Sequence, residues 1–593
     1  MRIRSIPLSV AIAVTALVGS AAAQTPPVIF TSQGASWTAA TRASFYSQDQ
    51  GSSMIPYNWL AALKQPNGQP FLGDSLARYG YLTNPANTNG LPVGFTVTGP
   101  AGSQIAGMTC AACHTRQITV AGVPYRIDGG PGIVDFQHYL ADLDVAVGSV
   151  LASDAAFLTF ASAVLQSSNP PSNEVLALRA AVDNWYLRYH TLISRALPQT
   201  PWGPSRLDAV GMIFNRLTGL DLGPAPSYLI ADNIKVADAP ARYPFLWNAA
   251  RQDFTQWPGF AQNGDDLLGL ARNLGEVYGV FGVFQPIQNA IYTDYLHNNS
   301  ANFDGLGKLE DLIKQIGPPQ WPWQVDANLA AQGEAIYNRQ GSCGDCHGIK
   351  PGQFRSIFQD TWATPVQNVG TDTREYDILA WTAKTGALEG SYPVGSSEPL
   401  KANEPTFTIL SASVLGSIAQ HYLIGSGVFA AAPQSTAAAN ARTPSQPNGR
   451  LPPQLRGLEN AFRRPGDPGG GTTINAAPAA RQAPQAAAAP PHGAYESRVL
   501  QGIWATAPYL HNGSVPSLAE LLKKPADRVK KFKVGPAYDI VNVGLAPDQT
   551  MFDYELQTGC GDINSGNSNC GHDFGTDLSA QEKKALLEYL KTL

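Results

Sequence analysis

Two short segments repeat one spacing: Cys110-Ala-Ala-Cys113-His114 and Cys343-Gly-Asp-Cys346-His347. Cys-x-x-Cys-His sets two thiols on one tight turn with an imidazole directly after them. That is what covalent attachment to the two vinyl groups of one haem requires, with the axial ligand delivered beneath the iron. The chain has only six Cys and nine His, so chance does not account for two copies. A bare Cys-x-x-Cys also suits half a zinc site or a redox dithiol, but the abutting histidine and the repetition favour haem. The expectation is two covalently bound haem c groups, carried by Cys110, Cys113, Cys343 and Cys346, with His114 and His347 as iron ligands.

The length, 593 residues, allows two or more domains. Charged residues make up 14% and the net charge is −5, so no basic field argues for nucleic acid. The N-terminus reads as an export signal over residues 1–23: Arg2 and Arg4, an apolar run from Ile6 to Val18, then Ala21-Ala22-Ala23. Cleavage there would leave no membrane span and a periplasmic or secreted protein, the compartment in which c-type haem is attached. Cys560 and Cys570 remain after haem attachment, and an oxidising compartment favours a disulfide between them over two free thiols.

Along the chain, residues 24–320 are expected to form an N-terminal haem domain with a large insertion at about 118–242. Residues 82–107 read as loop and Tyr125 to Gly132 as a turn cluster. Apolar spacing predicts helix from Val134 to Leu197. Residues 321–593 read as a cytochrome c domain interrupted by an Ala/Pro-rich stretch, 430–491, too poor in apolar residues to order itself. An amphipathic helix precedes the second motif (Asp326 to Gln340). A final helix opens with the capping box Ser579-x-x-Glu582. The expected class is therefore mainly α with much irregular loop, in two c-type cytochrome domains, each carrying one covalent haem.

Two further stretches carry a likeness. Gly502-Ile-Trp-Ala-Thr-Ala-Pro-Tyr-Leu-His-Asn-Gly-Ser-Val-Pro516 and Pro244-Phe-Leu-Trp-Asn-Ala-Ala250, with Trp257-Pro-Gly259 after it, resemble segments of the bacterial dihaem cytochrome c peroxidases and their MauG-like relatives. Within that superfamily the chain looks closest to the secreted rubber oxygenases and dihaem fatty-acid dioxygenases. The reasons are the insertion after the first haem, the segment Phe45 to Met54, and the ending Gly566-Asn-Ser-Asn-Cys-Gly-His572. The resemblance implies a first haem open to dioxygen and a second held by two histidines. It places Trp257 between the haems and His511 near them without binding iron, and it suggests a structural calcium ion.

The sixth ligand of the second haem must come from His421, His492, His511, His572 or Met551, and the oxygenase-type ending favours His572. Near the first haem, His138 fits simply as a helix residue. Phe245, Trp247, Trp257, Phe260, Tyr278 and Phe281 are candidates to line the open site; Gln262 and Glu276 match the Gln and Glu that the resemblance places beyond the tryptophan in peroxidases, with Glu276 as the acid/base candidate. The leading expectation is an oxygenase that takes dioxygen and an apolar unsaturated substrate, polyisoprene or fatty acid, with Phe245, Trp257 and Phe260 at the site. Its rival reduces hydrogen peroxide through Glu276, fed by a small donor cytochrome or cupredoxin. A non-enzymatic electron carrier is the third class.

Overall fold

The computed structural model describes residues 26–84, 86–87, 89–289, 292–355, 361–425 and 492–593. The expected leader at 1–23 and nearly all of the Ala/Pro-rich stretch at 430–491 lie outside them.

The fold class differs from the expectation of a mainly helical pair of cytochrome domains. The described residues are about 38% helical and 14% strand, and they form nine small sheets of two or three strands. The first Cys-x-x-Cys-His motif is itself framed by β-structure. Strand Ile105–Met108 runs into a 3-10 turn at Cys110–Ala112, and strand Thr115–Val120 leads out. Thr115–Val120 pairs antiparallel with Val123–Asp128 through the two-residue turn Ala121-Gly122. Both turn residues have positive φ, 49° and 80°, the twist that a tight hairpin needs. The cause is legible locally: Ile118, Thr119, Val120 and Val123 are β-branched, which favours an extended backbone. The strands Phe95–Thr98 and Ile105–Met108 likewise occupy the stretch read as loop.

Asp128 closes this region. Its carboxylate accepts from Trp37 Nε1 (2.8 Å), Arg42 Nε (2.6 Å) and Tyr46 Oη (2.6 Å), tying the N-terminal helix Ala39–Ser47 to the hairpin.

Helices Phe136–Leu151, Asp154–Val164 and Ser172–Ala196 lie where the apolar spacing predicts them and pack on one another. They bury Tyr139, Leu140, Leu143, Phe157 and Leu192. Among the described residues no single helix is long and apolar enough to cross a membrane.

The cores do not resolve into two cytochrome units either. One joins Phe45, Phe245 and Trp247 to Trp504, Tyr538, Leu586 and Leu590. Another joins Val210, Leu274 and Phe284 to Ile378, Ile409 and Ile418. The helix Ala327–Tyr337 crosses the terminal helix Ala580–Thr592, where a Cβ on Gly333 would collide with the Ala585 carbonyl oxygen. The Ser579–Glu582 capping box starts that terminal helix.

Candidate functional site

The second motif forms a five-residue helix, Cys343–His347. Nδ1 of His347 donates to the Arg498 carbonyl at 2.7 Å, which fixes the tautomer and leaves Nε2 free as a ligand. Across from it stands His572, ring centroids 6.2 Å apart. Metal–imidazole bonds of about 2 Å on either side of one ion, added to the two ring radii, come to roughly this span. His572 has φ 49°, and its Nδ1 is buried without a hydrogen-bond partner. Burial lowers both imidazole pKa values, that of His572 to about 3 with His347 adding to the effect. Both are therefore neutral at ordinary pH, the form that binds metal. A cavity of about 370 Å³ lies between these histidines, walled also by Cys343, Cys346, Tyr509, Leu518, Leu586 and Leu590. His511 stacks on Tyr495 at 3.8 Å along the wall.

At the first motif, His114 Nδ1 donates to the Pro244 carbonyl at 2.8 Å, and burial lowers the ring's pKa to about 4. The adjoining pocket is smaller, about 100 Å³; Met108, Phe245, Leu246, Val280 and Ile313 give it apolar walls, and Gln256, Arg272, Asn273 and Glu276 bring polar groups to it. Gln256 Nε2 donates to Glu276 Oε1 at 2.7 Å. Gln256 itself sits at φ 65°, a conformation that costs on the order of 1–3 kcal/mol and persists where surrounding structure enforces it. Burial raises the Glu276 carboxyl pKa, opposed by the Arg272 charge and the Gln256 hydrogen bond. Arg272 bridges Glu310, Asn263 and Asn273.

Burial pushes the Cys110 and Cys113 thiols up to about 12, opposite to the depressed thiol of a redox Cys-x-x-Cys. Among the described residues no group of three or more His, Cys, Asp or Glu is arranged to hold a metal ion. No calcium site is located among them.

Phe245, Glu496 and Arg498 line both cavities and so form their common wall. Trp257 lines the larger cavity beside them. Its Nε1 donates to the Arg242 carbonyl at 3.0 Å, with the guanidinium of Arg242 4.7 Å and that of Arg498 5.9 Å from the ring. Glu496 pairs with Arg498 at 3.5 Å, and burial raises its pKa to about 7. Arg242 gives Nε and Nη1 to the carbonyls of Leu510 and Thr506. The neutral buried imidazoles of His114 and His347, each beside a cavity and each preceded by a pair of thiols, together fit haem c.

Of the other residues singled out, Phe260 packs on Phe407 at 5.4 Å and lines neither cavity. Trp247 stacks behind Phe245 at 4.9 Å. Tyr278 bonds Ser417, and Phe281 stacks on Tyr189, both in the core. His138 is held by Asp135 on a half-exposed helix face. His421 stacks on Phe303, His492 pairs with Asp377, and Met551 is exposed. Gln262 accepts from Arg355, away from the pocket, and Gln256 stands where Gln262 was expected. Cys560 and Cys570 are joined in a disulfide, Cα atoms 5.1 Å apart. Arg242, Arg272, Glu496 and Arg498 carry no motif that marks them in the sequence.

Residues 494–533 match the family model described as RoxA-like, cytochrome c-like. The match includes Tyr495, Glu496, Arg498, Tyr509 and His511 of the larger cavity. It supports a RoxA-type cytochrome and implies a haem c cofactor, compatible with a haem oxidoreductase. Over most of its length the chain is similar to the uncharacterized protein y4iJ of Sinorhizobium fredii, at 28% identity across 94% of this chain and 92% of that one. It is also similar to the uncharacterized protein y4iM of the same organism, at 24% identity across 59% of this chain and 63% of that one.

Proposed function

We propose that the chain is an exported haem c oxidoreductase holding two haems, and that the pocket beside His114 reduces hydrogen peroxide. The carrying observation is the Gln256–Glu276 hydrogen bond of 2.7 Å, which sets a buried carboxylate in the pocket that also holds His114, placed to move a proton at a small ligand there.

A haem held by Cys110, Cys113 and His114, and another by Cys343, Cys346, His347 and His572, would supply electron exchange and, at the first, an open position for a small oxygen ligand. The protein's own part is proton management. The Glu276 carboxylate takes the proton from one peroxide oxygen and returns it to the departing one, so that two electrons and two protons convert peroxide to two waters. Gln256 holds the carboxylate in place through its amide, and the Arg272 cation opposes the rise in its pKa. His572 closes the second site against exogenous ligands and reserves it for electron relay through the Phe245–Trp257 wall. A small reduced cytochrome or cupredoxin is the matching donor.

Glu276→Gln keeps the shape and the Gln256 contact but cannot accept a proton. Peroxide turnover with a reduced small cytochrome should fall by on the order of 10²–10⁴-fold; undiminished turnover overturns the reading.

A second reading, oxygenation of an unsaturated fatty acid or polyisoprene, is favoured by the RoxA-like segment at residues 494–533. Oxygen uptake with such a substrate and no added reductant would select it.

A further inference from the structure

Behind the larger cavity an aromatic array runs from its wall toward the surface, away from both candidate haem sites. Tyr509 lines the cavity, and its hydroxyl lies 3.4 Å from the carbonyl oxygen of Trp504, to which Tyr538 also donates at 2.7 Å. Trp504 is fully buried. From it the ring centroids step 5.3 Å to Trp321, 4.7 Å to Trp323 and 5.0 Å to Tyr125, the last three half-buried at the surface. These are the side chains most easily oxidised by one electron, and each step is near ring contact.

Charge favours Trp323 over Trp321 as the end point. A cation over an aromatic face makes removal of an electron harder. Trp257 has two guanidiniums near its ring, and Lys591 Nζ stands 5.2 Å from the ring centroid of Trp321. Among the described residues no cation is found over Trp323.

We infer that this array is a redox relay that drains oxidising equivalents from the larger cavity to Trp323 when peroxide reacts without an external donor. The inference rests on the peroxide reading. Trp323 gives up two electrons, gains the oxygen of a water and releases two protons; peroxide takes two electrons and two protons and leaves as two waters.

The holoprotein is exposed to hydrogen peroxide without donor, digested and mapped by mass spectrometry. Oxygen addition is expected at Trp323 several-fold above Trp185 and Trp381, which are also half-buried but lie outside the array. Trp504→Phe and, because Trp504 is wholly buried, the milder Trp321→Phe should each lower labelling of Trp323 several-fold while peroxide consumption persists. Equal labelling of all three tryptophans, or undiminished Trp323 labelling in both variants, overturns the relay alone. A holoprotein whose visible spectrum peroxide leaves unchanged overturns the peroxide reading and the relay with it.

Discussion

The imidazoles of His347 and His572 face one another with centroids 6.2 Å apart and planes 43° to each other. One is placed by a five-residue helix, the other by a left-handed residue whose N–H donates to the Val369 carbonyl at 2.8 Å. If this pair clamps one iron, His572→Gly opens a coordination position. The reduced variant should bind one more carbon monoxide per chain than the parent protein, with a low-spin magnetic signal lost. The same stoichiometry in both would rule out His572 as the sixth ligand.

A carboxyl that must be ionised to accept a proton shows itself in the pH profile. Burial raises the pKa of Glu276, so activity should fall on acidification at a pH above the ordinary glutamate range, near 4.3. Steady-state rates across pH should show that limb in the parent, and Glu276→Gln should show no such limb in its residual rate.

The crossing of Ala327–Tyr337 over Ala580–Thr592 depends on Gly333, where any side chain strikes the Ala585 backbone. Gly333→Ala should lower stability by about 1–3 kcal/mol as overpacking does. Denaturant titration of the holoprotein measures it. An unchanged midpoint would mean that the helices part without cost.

Asp208 carries a pH-dependent stability term of definite sign. Burial raises its pKa to about 7, against about 3.9 in an unfolded chain, so between these values the folded state binds the proton more tightly. The contribution is fully present below about pH 4 and is lost as pH rises through about 7, with a slope of at most about 1.4 kcal/mol per pH unit. Asp208→Asn, neutral throughout, should flatten that part of the profile of melting temperature against pH. A variant with the parent's slope would assign the term elsewhere.

The chemistry was more legible in the residues than the architecture. Adjacent Cys, Cys and His announce covalent haem because the spacing serves bond formation directly, and the capping box at Ser579 and the close contact at Gly333 are local rules that survive any tertiary context. The small sheets were hidden for the opposite reason. Strands of two to six residues carry too little alternation to stand out, and an Ala-Gly turn is a weaker hairpin signal than Asn-Gly. The polar lining beside His114 was only half visible. Glu276 lies on the Asp266–Gly279 helix at a foreseeable distance from Trp257, whereas Gln256 enters through an unfavourable backbone angle that no residue preference foretells. Arg242 and Arg498 come from distant stretches and meet at Trp257 only once the chain is folded.

Arg498 serves two masters: its main chain steadies the imidazole of His347, while its side chain walls the pocket beside His114. Neither duty can drift independently, because one α-carbon joins them. Adding or deleting a single residue between Glu496 and Arg498 would throw both chambers out of alignment at once, so insertions in this lineage should spare that stretch even where they crowd the loops on either side.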